Sequence, residues 1–208
     1  MTGPSPPPGG ATGRAGGGPG PAARGEVVII TGPPGAGKTT AAVAIAGRGP
    51  QAAVHLHSDD FYHYIKAGRI APYLPAAHLQ NRVVIGVLAD AAFGYAAGGY
   101  LVLLDGIVGP WFLDLFLKRS GRTGIALHYI VLRPALGECL RRALDRAAPG
   151  LRDSAPVRGL HQQFQQLGEL EANVLDTSSL SPDQVAGQIG AILRSGRSRL
   201  TGGRCVAT

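Results

Sequence analysis

The sequence predicts an α/β fold, a mostly parallel sheet with helices on both faces, and three observations predict it. Short apolar runs alternate with longer stretches of helical periodicity across the middle of the chain. Two of those runs, Leu101–Leu104 and Ile125–Leu132, are apolar enough to be buried on both faces, as parallel strands are. A third, Val27–Ile30, leads straight into Gly32-Pro33-Pro34-Gly35-Ala36-Gly37-Lys38-Thr39. That stretch reads G-x-x-x-x-G-K-T, a phosphate loop set between a buried strand and a helix-forming run.

Taken in order, strands are expected over 26–31, 52–57, 100–105, 125–132 and 173–176. Helices are expected over 37–47, 76–97, 111–118, 134–148, 156–171 and 182–194. In 134–148, Leu136, Leu140, Ala143, Leu144 and Ala147 recur three or four residues apart and form one apolar stripe. Pro134 suits a first-turn position, where its missing N–H is harmless. Ser181-Pro182-Asp183 reads as an N-cap followed by a first-turn proline. Strands alternating with helices through right-handed crossovers make the sheet parallel and cover both of its faces.

Three segments follow from composition. Residues 1–25 are almost entirely Gly, Pro, Ala, Ser and Thr and cannot bury enough apolar surface to order, so a disordered tail is expected there. Residues 26–194 form one folded domain, and 195–208 read as a flexible C-terminal tail. The net charge of +7 sits mostly in the ends, which hold six of the 20 basic residues and no acid before Glu26 or after Asp183. The body is close to neutral, so no basic face for nucleic acid is indicated. Cys139 and Cys205 suit neither a disulfide framework nor a metal site, and Cys139 falls on an apolar helix stripe. No run of 18 apolar residues spans a membrane, and the N-terminus has no apolar signal core, so a cytoplasmic location is expected.

The phosphate loop supplies the first candidate site residues: Gly32, Pro33, Pro34, Gly35, Ala36, Gly37, Lys38, Thr39 and Thr40. Its glycines let successive N–H groups turn toward phosphate oxygens, and the helix beginning at Lys38 adds its positive end. Lys38 is one of only three lysines in the chain and reaches the β- and γ-phosphates. The Thr39 hydroxyl is a Mg²⁺ ligand. The second candidate is Leu56-His57-Ser58-Asp59-Asp60-Phe61-Tyr62 at the end of the second strand, where open α/β sheets collect ligands. A carboxylate there can orient an alcohol and accept its proton. Asp59 is the candidate base, with Asp60 beside it as a supporting group or helix cap. The competing reading is that both carboxylates cap the next helix. The third is the strand ending in Asp105-Gly106, whose carboxylate would hold Mg²⁺, or would simply end the strand in a turn.

A fourth feature is an arginine cluster, Arg141, Arg142, Arg146, Arg152 and Arg158, around the break Ala148-Pro149-Gly150. The break suits a lid, and arginines in a lid stabilise charge on a transferring phosphoryl group. Arg146 and Arg152 border it most closely. The stretch from Tyr62 to Gln80, with Tyr64, Arg69, Tyr73 and His78, reads as an acceptor-binding insert, and Trp111 marks a second wall.

The phosphate loop, Ser58-Asp59-Asp60-Phe61, the strand ending in Asp105-Gly106, and Val131-Leu132-Arg133-Pro134 together resemble the zeta-toxin and chloramphenicol-phosphotransferase-like group of small P-loop kinases. The resemblance covers about residues 26–194. It implies a three-layer sandwich around a five-stranded parallel sheet of order 2-3-1-4-5, with ATP and Mg²⁺ bound and a hydroxyl of a small molecule phosphorylated, an antibiotic or nucleoside-like metabolite. It assigns the base to Asp59, phosphate binding to Lys38 and Thr39, and a lid role to Arg142 or Arg146. It places Asp176-Thr177-Ser178 beside the adenine. The chain departs from the group in its 62–80 insert, which shapes the acceptor pocket. Two alternatives remain at this stage: a nucleoside or nucleotide kinase, and a nucleotide-binding module without phosphotransfer, which has no use for a base at Asp59.

Overall fold

A computed structural model describes residues 24–49, 51–145 and 154–200 of the 208-residue chain. Five parallel strands run β1 (Glu26–Thr31), β2 (Ala53–His57), β3 (Leu101–Asp105), β4 (Leu127–Leu132) and β5 (Val174–Leu175), in the spatial order β2-β3-β1-β4-β5. The helices are α1 (Lys38–Ala46), α2 (Ser58–His63), α3 (His78–Ala97), α4 (Leu113–Thr123), α5 (Leu136–Leu144), α6 (Ser154–Gln163) and α7 (Pro182–Ser195). The layered α/β architecture is the one the sequence pattern predicts, and the strand order is the one the family resemblance implies. Among the described residues, no helix is long and apolar enough to cross a membrane.

The central strand shows why the fold is layered. Val27 and Ile29 pack into one core with α3 and α4, while Val28 and Ile30 pack into a second core with α1 and α7. Side chains alternate between the two faces of a strand, so a continuous apolar run at β1 requires cover on both sides. The parallel register then aligns the functional ends. Ile30 pairs with Asp105, and Asp105 pairs with His57, which puts the ends of β1, β2 and β3 at one level of the sheet edge. The phosphate loop, the acidic motif and the end of β3 all leave from that edge.

Three boundaries differ from expectation. The helix expected over 156–171 stops at Gln163, and a short 3-10 turn follows at Gly168–Asn173. Phe164 and Leu167 are buried in the core, and Arg133 donates to the Phe164 carbonyl at 2.8 Å, so the chain leaves the helix to bury them. The helix expected to end at 118 runs to Thr123, closed by Gly124. Pro134 lies ahead of the α5 cap rather than in the first turn, and its carbonyl accepts a hydrogen bond from His161 Nε2 at 2.9 Å.

The segment expected as a flexible tail, 195–208, carries regular structure in its described part. A sixth strand, β6 (Arg199–Leu200), pairs antiparallel with β4 through Leu127 and His128. β5 is only two residues long and covers the far end of β4 alone, at Val131 and Leu132. The rest of that edge carries backbone groups that need partners, and the C-terminal segment supplies them. Residues 201–208, and the expected disordered segment apart from Arg24 and Gly25, lie outside the described residues.

Candidate active site

The phosphate loop takes the shape that its glycines permit. Gly35 has φ 82°, in the left-handed region, and an added Cβ there would lie 2.4 Å from the Cys139 carbonyl oxygen. The loop is thereby pressed against α5. Lys38 Nζ donates to the Gly32 and Pro33 carbonyls, both at 3.0 Å, so the ammonium is held at the mouth of the loop. Pro34, Lys38 and Thr39 line a cleft of about 730 Å³. Ala36 is buried in the core, and its carbonyl accepts a hydrogen bond from Thr177. Thr40 is exposed in the first turn of α1.

Thr39 and Asp105 meet. Thr39 Oγ1 donates to Asp105 Oδ2 at 2.5 Å, and His55 Nε2 holds the other carboxylate oxygen at 2.8 Å. Burial alone would raise the Asp105 carboxyl, but the hydrogen bonds from His55 and Thr39, with His57 nearby, hold it below the usual carboxylate range. An ionised carboxylate and a hydroxyl at the foot of a phosphate loop are hard oxygen donors. That set suits Mg²⁺, which takes one or two protein oxygens and completes its shell with phosphates and water.

The acidic motif opens α2. His57 is the helix cap residue, no side-chain capping bond forms there, and Asp59 and Asp60 sit in the first turn. Asp59 lines the cleft beside Lys38 and Thr39, whereas Asp60 is not part of its lining. The Asp59 side chain is 68% exposed. His57 stands among the carboxylates, 3.9 Å from Asp59, 3.8 Å from Asp60 and 3.8 Å from Asp105. Ser58 is buried against Gly106, where an added Cβ would lie 2.1 Å from Ser58 Oγ. Only glycine lets the start of α2 come this close to the end of β3. Tyr62, one turn on from Asp59, faces the cleft with its hydroxyl pushed up to about 12, by burial first and by the Asp59 charge second.

The arginine cluster divides. Arg146 and Arg152, with the expected lid around Ala148-Pro149-Gly150, lie outside the described residues. Arg142 is not part of the cleft lining. Its Nε donates to Glu138 at 2.5 Å and its Nη2 to the Thr177 carbonyl at 3.3 Å, which ties α5 to the loop after β5. Arg141 pairs with Glu138 and Asp145 on the exposed face of α5, and Arg158 is exposed on α6. Glu138 is held down to about 2, chiefly by its hydrogen bond from Arg141. Cys139 is a buried core residue, as its stripe position indicates, with its thiol pushed up to about 11 by burial.

Of the insert residues, Arg69 and Tyr73 line the cleft, whereas Tyr64 is 71% exposed and His78 is outside the lining. Trp111 also lines the cleft. Sequence reasoning missed His55, the role of His57, and Asn81. The two histidines carried a signal: they are two residues apart on one face of a strand that pairs with the strand ending in Asp105. Asn81 carried none, because α3 reaches the cleft only through the tertiary fold.

Residues 27–170 match the family model described as the AAA domain. The chain belongs to this AAA domain family. No curated protein matches the chain significantly. Among solved structures, the family member described here resembles the tunicamycin resistance protein of Deinococcus radiodurans, with TM-score 0.60, 20% identity, and coverage of 86% of this chain and 99% of that one. It also resembles the Mycobacterium tuberculosis APS kinase CysC, solved with AMPPNP and APS, with TM-score 0.62, 22% identity, and coverage of 82% and 98%. Shikimate kinase from Acinetobacter baumannii, in complex with shikimate, gives TM-score 0.58, 20% identity, and coverage of 83% and 94%. At these identities the likeness establishes the shared fold.

Proposed function

We propose that this AAA domain protein is a kinase that transfers the γ-phosphate of ATP, with Mg²⁺, to a hydroxyl of a small molecule. The observation that carries the reading is the Asp59 carboxylate in the same cleft as Lys38 and Thr39. A nucleotide switch needs the phosphate loop alone, whereas phosphoryl transfer to an alcohol needs a group beside it to take the proton. The fold shared with APS kinase and shikimate kinase supports the reading, as does the resemblance of its sequence motifs to those of zeta toxins and chloramphenicol phosphotransferases.

Bound ATP supplies the phosphoryl group, and Mg²⁺ neutralises charge on its phosphates. The Gly32–Thr39 backbone cradles those phosphates, and Lys38 turns from the Gly32 and Pro33 carbonyls to meet them. Thr39 and Asp105 would hold the metal, with His55 bonded to the other Asp105 carboxylate oxygen. Asp59 accepts the hydroxyl proton as the alcohol oxygen bonds to the γ-phosphorus and the bond to the β,γ-bridging oxygen breaks. The products are a phosphate monoester and ADP. Arg142 braces the wall beside Thr177, and Arg146 and Arg152 are proposed to act on the transferring group. The near-neutral body favours a small-molecule partner over nucleic acid, and a cytoplasmic setting supplies the ATP.

The test is phosphoryl transfer from labelled ATP to a library of hydroxylated metabolites and antibiotics, run on the full chain and on Asp59→Asn. A labelled product that disappears in Asp59→Asn supports the kinase. Hydrolysis without any acceptor product, insensitive to Asp59→Asn, favours a nucleotide-binding module.

A further inference from the structure

The segment that closes the acceptor end of the cleft is stitched to α3 by two consecutive side chains. The Ile70 N–H donates to Gln80 Oε1 at 2.8 Å, and Gln80 Nε2 donates back to the Ile70 carbonyl at 2.8 Å. Asn81 Nδ2 donates to the Pro72 carbonyl at 2.8 Å. These three bonds hold residues 70–72 as a fixed strap, and the residues on either side of it, Arg69 and Tyr73, both line the cleft.

Two groups on this strap and its anchor have unmet bonding capacity. Among the described residues, Arg69 is paired with no carboxylate. The other cations of the insert and of α3 are engaged elsewhere. Arg82 is bound to Asp114 at 2.9 Å, and Lys66 donates to the His63 carbonyl at 2.9 Å. Asn81 also lines the cleft and is only 8% exposed. Its amide nitrogen is bonded to Pro72, but its Oδ1 is buried without a hydrogen-bond partner.

We propose that the acceptor is a small alcohol bearing an oxyanion, a carboxylate or a phosphate, gripped by Arg69 at the end of the strap that Gln80 and Asn81 pin to α3. This rests on the kinase reading, with Asp59 taking the proton of the reacting hydroxyl at the other end of the molecule. The guanidinium is a planar fork of donors that matches a carboxylate or phosphate edge and has nothing to offer a neutral alcohol in its place. Trp111 and Phe112 add apolar lining to the same cleft.

The test uses paired acceptors on the full chain. Hydroxy acids are compared with their methyl esters, and sugar phosphates with the free sugars, with phosphorylated product and ADP both measured. Product from the acids, the phosphates or both, with each neutral partner at least about 10-fold lower in kcat/KM, supports the proposal, and the two arms tell carboxylate from phosphate. Arg69→Gln should raise KM for the anionic acceptor by about 10- to 100-fold with kcat changed far less, and Arg69→Lys should recover part of the loss. Arg69 is exposed, so neither variant threatens the fold. Neutral acceptors phosphorylated as well as charged ones, in an Asp59-dependent way, would overturn the oxyanion and leave the kinase standing. Transfer to no member of either set would overturn both.

Discussion

Stopping the chain after Arg197 removes β6 while leaving the Gly196 cap of α7 in place. Leu200 is only 6% exposed, and losing a buried leucine from the core costs about 1.5–3 kcal/mol. Two hydrogen bonds go with it: the buried Tyr129 N–H donates to the Ser198 carbonyl at 2.9 Å, and His128 Nδ1 bonds Ser198 Oγ at 2.9 Å. At roughly 1 kcal/mol each, the loss totals about 3–5 kcal/mol. A domain of this size loses about 2–4 °C of Tm per kcal/mol, so the truncated chain should melt roughly 6–20 °C lower. A chain stopped after Leu200 keeps β6 and is the reference for the loss. Urea denaturation of the three chains side by side is the assay. If the chain ending at Arg197 unfolds at the same urea concentration as the full chain, β6 contributes nothing and the reasoning fails.

Other outcomes follow from single sites. Lys38→Ala should abolish phosphoryl transfer while shifting Tm by no more than a few degrees, since Nζ bonds the Gly32 and Pro33 carbonyls of the loop rather than the core; activity close to wild type would remove the phosphate-loop role. Asp59→Asn should lower turnover by ~10²-fold or more with nucleotide affinity kept, and Asp60→Asn should cost much less; steady-state kinetics of the two variants, giving the opposite order, would move the base to Asp60. Gly106→Ala should destabilise the protein by about 1–3 kcal/mol, because its methyl overlaps Ser58, and Ser58→Gly in the same chain should restore part of that in a denaturation series. Burial holds the His128 imidazole below its ordinary value near 6.5. The unfolded chain therefore takes up that proton first, and stability falls as pH drops below about 6.5. Denaturation midpoints at pH 7.5 and 5.5 should differ less in His128→Asn than in the native chain.

The layered fold was legible because each of its signals is local. Val27–Ile30 is apolar without a break, so it must be covered on both faces, and G-x-x-x-x-G-K-T leaves a phosphate loop little choice of shape. Asp105 was legible for the same reason, as the first polar residue after the apolar run Leu101–Leu104, and Asp59 stood out with Asp60 as an acidic pair just past the second strand. What local signals do not carry is which chain segment meets which. The two-residue β5 leaves most of the β4 edge open, and only the assembled sheet reveals that Ser198–Leu200 fills it. His55 reads as an ordinary strand residue until the β2–β3 register sets it beside Asp105. Arg142 reads as a free lid cation until the packing of α5 delivers it to Glu138 and Thr177. Arg69 and Asn81 are twelve residues apart on a strap and a helix, with no shared period, and only Gln80 and the Pro72 carbonyl bring them to one cleft. Sequence period and spacing determined the layers and the phosphate-loop motif, because these are written in neighbouring residues. The edge strand and the acceptor end were decided by tertiary contact, because backbone edges and side-chain hydrogen bonds find their partners only once the layers have packed.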